Sequence, residues 1–486
     1  MTFKILFVAL AILASPTVSA QPDDSVQVSI PASQFADTVQ AFTAVGLRQS
    51  PDNKAIFVCP ASFTDKDLER IPDSPLPFGL HISGRGVTND GVRTVSQLGN
   101  LSVLNLIATN VTCESDCGFE QMRNLKELSV FGSPVTDAGL QRISKLNNLT
   151  TLDVRMTAVH GPGLEELSAL KHLKSLELDL TTERLRHLRI AGQLHALPYA
   201  EGDAEASVSS DDGIVVMNLN GFYGIQISDA AISELTSLPK LKKLSLIGSD
   251  ITDAGMPALS QLETLRSLNI ESTRITDAGL SALSRITNLT DLTLDETAIT
   301  DEGLRQLAGI RKLQSLSLNR TAITDAGIQI LSGFEFLESL SLNSTAVTLE
   351  NVTELADLRR LKSLGLNASK VTDNGLKSIS GLTQLLSLDL ILCQITDAGL
   401  KELSGLKQLE TLHLNRTLIT DAGLYELGCL SQLSTLSLSA TAITDEGLAQ
   451  LTNLKNLKTL VLLGVPLSND AVAQLQSALP NCRILY

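Results

Sequence analysis

The 486-residue chain carries a formal charge of −15, is 43% hydrophobic, lacks Trp and holds only 3% aromatic residues. That acidic balance argues against nucleic acid and against an anionic membrane surface, since both recruit Lys and Arg to neutralise phosphate; it fits a basic partner or simple solubility. The length exceeds one ordinary globular core, a limit escaped by a chain that grows along a single axis.

At the N-terminus Lys4 precedes an apolar run over residues 5–14, and Val18-Ser19-Ala20 precedes Gln21. A short positive region, an apolar run and small residues at the cut match a secretory signal peptide over 1–20, cleaved after Ala20, so the mature protein is expected to be secreted or periplasmic. The run is too short for a membrane span, which needs ~20 residues, and no other stretch approaches that length. Residues 21–54 are expected to form an N-terminal cap, because Phe35, Val39, Phe42 and Val45 fall at helical spacing.

From residue 55 the chain repeats every 24 residues. A first arm over 55–188 keeps the phase through Phe63, Val87, Val111, Val135 and Val159, then a degenerate unit with Leu176, Leu178 and Leu185. About 20 extra residues then enter, acidic and Ser-rich and without apolar periodicity, so 189–213 is expected to be a solvated insertion loop. A second arm over 214–486 resumes at Ile227 and runs without slippage through Ile251, Ile275, Ile299, Ile323, Val347, Val371, Ile395, Ile419 and Ile443 to Leu467, with a final strand at the C-terminus. Within one unit, Leu268 and Ile270 alternate with polar residues as in a half-buried strand. Thr276-Asp277 before Leu280 and Leu283 supplies a hydroxyl cap, an acidic first turn and a helical apolar pair, with Gly279 allowing close packing of adjacent helices.

The block Leu-x-x-Leu-x-Leu-x-x-Thr-x-Ile-Thr-Asp-Ala-Gly-Leu resembles the leucine-rich repeat superfamily, in particular the ribonuclease-inhibitor-like and cysteine-containing subclass and exported bacterial repeat proteins with 24-residue units. The resemblance covers roughly residues 53–486. It implies an α/β fold, a right-handed solenoid with a parallel sheet on the concave face and short helices on the convex face, and protein binding through the concave face. No F-box-like segment precedes the repeats, and the paired-Cys caps of animal extracellular relatives are missing, so only the scaffold is carried over. Eighteen strands at ~4.8 Å per step give a sheet roughly 85 Å long.

Two places are expected to contact a partner. On the concave face, stacked Asn319, Asn343, Asn367 and Asn415 offer amides that either ladder along the sheet or face a ligand, while Glu271, Asp295, Arg320, Asp389, His413 and Arg416 break the monotony. At the insertion, Gly221-Phe222-Tyr223-Gly224 sets Phe222 and Tyr223 between glycines, with Tyr199 at the start of the preceding loop. The Asp column, including Asp253, Asp277 and Asp301, reads as capping of helix N-termini rather than as calcium ligands. His172, His187 and His195 match no compact metal motif, and the six cysteines read mostly as free thiols with at most one or two bridges. No nucleophile elbow, phosphate loop or dinucleotide-type glycine pattern occurs, so neither catalytic residues, metal nor cofactor are expected. The leading expectation is a non-catalytic module that recognises a protein or peptide; the alternative is a spacer or envelope scaffold acting by length and self-association.

Overall fold

In the computed structural model the described residues are 32–202, 210–221, 225–350 and 352–486. Residues 1–20, the expected signal, lie outside them, as do Phe222 and Tyr223.

Each unit begins with a strand of about three residues whose central Leu points inward. In Ser315–Ser317, Leu316 is buried while both serines are half-exposed. Its partner is the same strand one unit on, so Leu316 faces Leu340 and Leu340 faces Leu364 in a parallel ladder. Leucine stacked on leucine along the axis is what fixes this register, because a one-residue slip would turn the core row to solvent. A fully buried leucine contributes about 1.5–3 kcal/mol, and each unit supplies several.

After the strand the backbone turns through the left-handed region. Ala108, Met156, Ser272, Glu296, Arg320, Ser344, Ala368, Leu392, Arg416 and Ala440 all have φ between 52° and 64°, and Gly132, Gly248 and Gly464 fill the same column. For a residue with a Cβ this costs about 1–2 kcal/mol. The compensation is a hydrogen bond: Arg320 N–H donates to the carbonyl of Asn343 at 2.9 Å, and equivalent bonds recur from unit to unit.

A short helix then returns the chain, capped by Thr. The Thr276 hydroxyl accepts the Ala278 N–H at 3.3 Å, with Asp277 in the first turn. The Asp carboxylates, expected to cap their own helices, bind the following unit instead. Asp253 Oδ1 accepts the Thr276 N–H at 2.8 Å and Oδ2 accepts its hydroxyl at 2.6 Å. The same pair of bonds joins Asp277 to Thr300, Asp301 to Thr324 and Asp397 to Thr420. Gly279 is small for this reason: a Cβ there would stand 2.4 Å from Asp253 Oδ1. The approach it permits is that of the preceding unit's helical segment, with Met256 3.0 Å from the same Cβ, as the expected close packing of adjacent helices requires.

The strands form one seven-stranded and one thirteen-stranded sheet. Setting aside a short antiparallel strand at one edge of each leaves eighteen parallel strands among the described residues, alternating with the helices in an α/β solenoid. At the N-terminal end, helix Ala32–Ala44 lays Phe42 against Phe57 and Phe78, with ring centres 4.5 and 5.0 Å away. Phe35, Val39 and Val45, read as its other inward residues, are half-buried.

Of the expected insertion loop, residues 203–209 lie outside the described residues, and the described flanks carry regular structure. Helix Thr182–Ala191 runs on past residue 188, ends at Gly192 in the left-handed conformation, and is followed by buried Leu194, Ala196 and Leu197. Ala200–Glu201 then pairs antiparallel with Val216–Asn218. The apolar residues Leu194 and Leu197 before the polar run, and Ile214 and Val215 after it, are buried.

Here the sheet breaks: Ser175–Glu177 pairs with its predecessor, and the antiparallel Ala200–Glu201 begins the second sheet. The helix side stays continuous. Gln226 N–H donates to Leu180 O at 2.7 Å, and Ser228 N–H to the Thr182 hydroxyl at 2.9 Å. Buried Glu234 receives Arg186 Nε at 3.1 Å and Arg189 Nε at 2.5 Å.

Candidate functional site

The strand face is built from outward positions of successive strands and from the residue just after each strand leucine pair. In the second arm that last column is a hydrogen-bonded ladder. Asn319 Oδ1 accepts the Asn343 N–H at 2.8 Å, Asn343 Oδ1 the Asn367 N–H at 2.7 Å, and Asn367 Oδ1 the Ile391 N–H at 2.8 Å. Asn415 Oδ1 does the same for Ser439 at 2.7 Å. Amide groups also bind neighbouring hydroxyls, as Asn343 Nδ2 does to Ser341 at 2.8 Å. Each asparagine thus satisfies a backbone donor that would otherwise be left over at a strand end.

The charged candidates fall into two small groups. Asp295 anchors the start of the ladder, accepting the Asn319 N–H and side-chain amide at 2.8 and 2.7 Å. Glu296 pairs with Arg320 and accepts the Ser272 hydroxyl at 2.9 Å, and the hydroxyl and guanidinium hold its carboxyl below the usual range. Glu271 stands beside them, its carboxyl raised by partial burial and then by Asp295. Farther along, His413 Nδ1 lies 2.7 Å from Asp389 Oδ1, within ion-pair range but off the angle of a hydrogen bond. Arg320 and Arg416 both occupy the left-handed turn column, so they project at the rim of the face rather than from a strand.

Tyr199 belongs to a different cluster, at the sheet break. Its carbonyl accepts the Asn218 N–H at 2.8 Å, and its half-buried ring lies in the field of Glu177 and Arg155. Arg155 is held as a fork on Asp153, with Nε at 3.0 Å from Oδ1 and Nη2 at 2.9 Å from Oδ2. Its guanidinium sits 5.6 Å from the centre of the Phe131 ring and 3.8 Å from Glu177. Burial raises the Glu177 carboxyl, an effect that Arg155 opposes. Burial likewise raises the Tyr199 phenol, and Glu177 adds to it. An arginine locked in a planar pair and flanked by an aromatic ring presents its remaining donors to an acidic or carbonyl group with little entropy left to lose.

Phe131, Asp153, Arg155 and Glu177 escaped the sequence reading. The signal was present: in the column that carries Asn319, Asn343 and Asn367, the first arm has Phe131 and Arg155. The left-handed turn was also missed, although Gly132, Gly248 and Gly464 mark its column.

The three histidines stay apart. His187 pairs with Glu165 at 2.6 Å, and His195 binds Asp211 through its N–H at 2.9 Å, while His172 is exposed. Among the described residues no group of three or more His, Cys, Asp or Glu is placed to hold a metal ion. All six cysteines are free thiols, and burial pushes Cys59 up to about 12. No described helix is long and apolar enough to cross a membrane.

A family model described as Leucine Rich repeat matches residues 121–144, 145–168, 261–284 and 382–404. No curated protein matches the chain. Among solved structures, an internalin of Listeria monocytogenes is similar at 20% identity over 85% of this chain and 98% of its own, with a TM-score of 0.38. A leucine-rich-repeat protein of Leptospira interrogans is 19% identical over 94% of this chain and 98% of its own, with a TM-score of 0.45. The matched stretches are similar to leucine-rich repeats, and they are set in a solenoid whose other units are built on the same strand, turn and short helix.

Proposed function

We propose that this is an exported, non-catalytic recognition protein that holds a protein or peptide partner against its strand face, centred on the sheet break between the arms. The observation that carries the reading is the Arg155 fork on Asp153, beside Phe131 and within reach of Tyr199. Arginine and aromatic residues dominate binding energy at protein interfaces, above all where they are rigid and partly desolvated. The rest of the face supplies the roughly 800 Å² per side that a stable interface needs. Glu271, Asp295, Arg320, Asp389, His413 and Arg416 are secondary contacts that set specificity along it. The asparagines at 319, 343, 367 and 415 chiefly hold the sheet.

The test is capture of partners from the host's extracellular and envelope fraction by the wild-type chain, followed by affinity measurement. Arg155→Ala should weaken the captured partner at least tenfold with the thermal midpoint unchanged; Tyr199→Ala should weaken it as much while lowering the midpoint, because its ring packs against the core. Unchanged affinity for both variants would remove the junction site. Capture of the chain alone would favour the scaffold.

A further inference from the structure

The edge of the solenoid where helices return to strands carries a second surface. Three successive loops of the first arm, at about 4.8 Å per unit, line a groove of about 340 Å³ with Arg123, Asn124, Lys126, Asn148, Thr150, His172 and Lys174. Arg123, Lys126 and Lys174 are exposed, and among the described residues none has a carboxylate within ion-pair distance. In the second arm the same loop columns mix signs: Glu263, Glu335, Glu338 and Glu410 stand among Arg311, Arg359, Lys362, Lys407, Lys455 and Lys458, and Lys362 is neutralised by Glu338 at 2.7 Å. In the first arm these columns carry no carboxylate.

The groove is also firm. Asn148 Nδ2 donates to Arg123 O at 2.7 Å, Asn124 Nδ2 to Gly99 O at 2.8 Å, and the Thr150 hydroxyl to Lys126 O at 3.1 Å. Each loop backbone is thereby tied to the one before it. Both asparagines keep a second N–H and a carbonyl oxygen for a ligand. Three uncompensated cations in a chain of charge −15 form a local field opposite to that of the whole molecule.

We infer that this groove binds a linear acidic glycan, with its sulfate or carboxylate groups on Arg123, Lys126 and Lys174 and its hydroxyls on Asn124, Asn148 and Thr150. Amide and hydroxyl donors between the cations suit a polyhydroxylated chain. A single-stranded nucleic acid would need aromatic side chains on which its bases stack, and the groove lining has no Phe, Tyr or Trp.

The experiment titrates the full chain with a heparin octasaccharide at 50 and 200 mM salt, with neutral dextran and an oligothymidylate of equal length in parallel. Lys126→Glu with Lys174→Glu should weaken heparin at least tenfold. Lys407→Glu with Lys455→Glu, on the same edge of the second arm, should change it less than twofold. Circular dichroism and the thermal midpoint verify that both double variants fold. Any of four results overturns the site: no heparin binding at 50 mM salt, equal loss in both variant pairs, equal binding of neutral dextran, or tighter binding of the oligothymidylate.

Discussion

The two arms share one repeat, yet they satisfy the backbone at the strand face by different means. In the second arm a side chain of one unit completes the backbone of the next, as Asn343 does for Asn367. In the first arm the unit completes itself: Asp153 Oδ1 accepts the Arg155 N–H at 3.1 Å, and Ser129 Oγ accepts the Phe131 N–H at 3.4 Å. A residue that supports its neighbour cannot turn to a ligand without stranding a donor. The side chains of Phe131 and Arg155 hold no backbone donor of a neighbouring unit, which is why they are better candidates for contact than any asparagine of the ladder.

The largest effect should come where the arms meet. With the sheet interrupted, Glu234 and its two arginines carry much of the polar tie on the helix side. Glu234→Ala removes two charge-assisted hydrogen bonds, a loss of about 3 kcal/mol. Nearest-neighbour coupling in a solenoid then predicts that one unfolding transition splits into two, seen by denaturant titration. A single transition at the wild-type midpoint would mean that apolar packing alone joins the arms.

Inside the second arm the Asp ladder should matter next. Asp301→Ala leaves the Thr324 N–H and hydroxyl without their acceptor and should lower stability by about 2 kcal/mol. Gly327→Ala should cost about 1–3 kcal/mol, since its Cβ would stand 2.4 Å from Asp301 Oδ1. The double variant should lose less than the sum, because the first change removes the atom that the second collides with. Strict additivity would show that Ile323, 2.9 Å from the same Cβ, is the true obstacle.

The comparison between ladder and junction is sharpened by a matched pair. Asn343→Ala should lower stability by about 1 kcal/mol and leave partner affinity near wild type. Arg155→Ala should do the reverse, since a half-exposed ion pair contributes only about 0–1 kcal/mol to the fold. Equal stability losses in both would erase the distinction between the arms.

Much of this was legible in the residues. Strict periodicity specifies the solenoid, and Leu268 or Leu316 at the strand centre follows from alternation. The Thr-Asp pair announces a helix start, but the destination of the carboxylate is a contact between units 23 residues apart, and no local propensity encodes it. The structure of the insertion's flanks was hidden because buried Leu194, Leu197, Ile214 and Val215 lie on either side of the acidic run that dominates its composition. The proposed junction site was hidden for a related reason: Phe131 and Arg155 lie in the phase of the first arm, and Tyr199, near Arg155, comes from the chain beyond the break in the sheet.

The smallest effect tests the electrostatics of that junction. Glu177 titrates above its ordinary value because burial disfavours its charge more than Arg155 favours it. A carboxyl raised on folding adds stability that is fully present below its unfolded value, about 4.3, and is lost as pH rises through the folded one. Wild type should therefore lose stability relative to Glu177→Gln as pH rises from about 4 to neutral, the glutamine being a neutral mimic at every pH. The lost contact with Arg155, at 3.8 Å and partly exposed, shifts the comparison by no more than about 1 kcal/mol and does not reverse its slope. Thermal midpoints of the two chains across that range decide it. Should the variant fall further behind as pH rises, the ion pair with Arg155 outweighs burial, and the junction is held by charge rather than merely tolerating it.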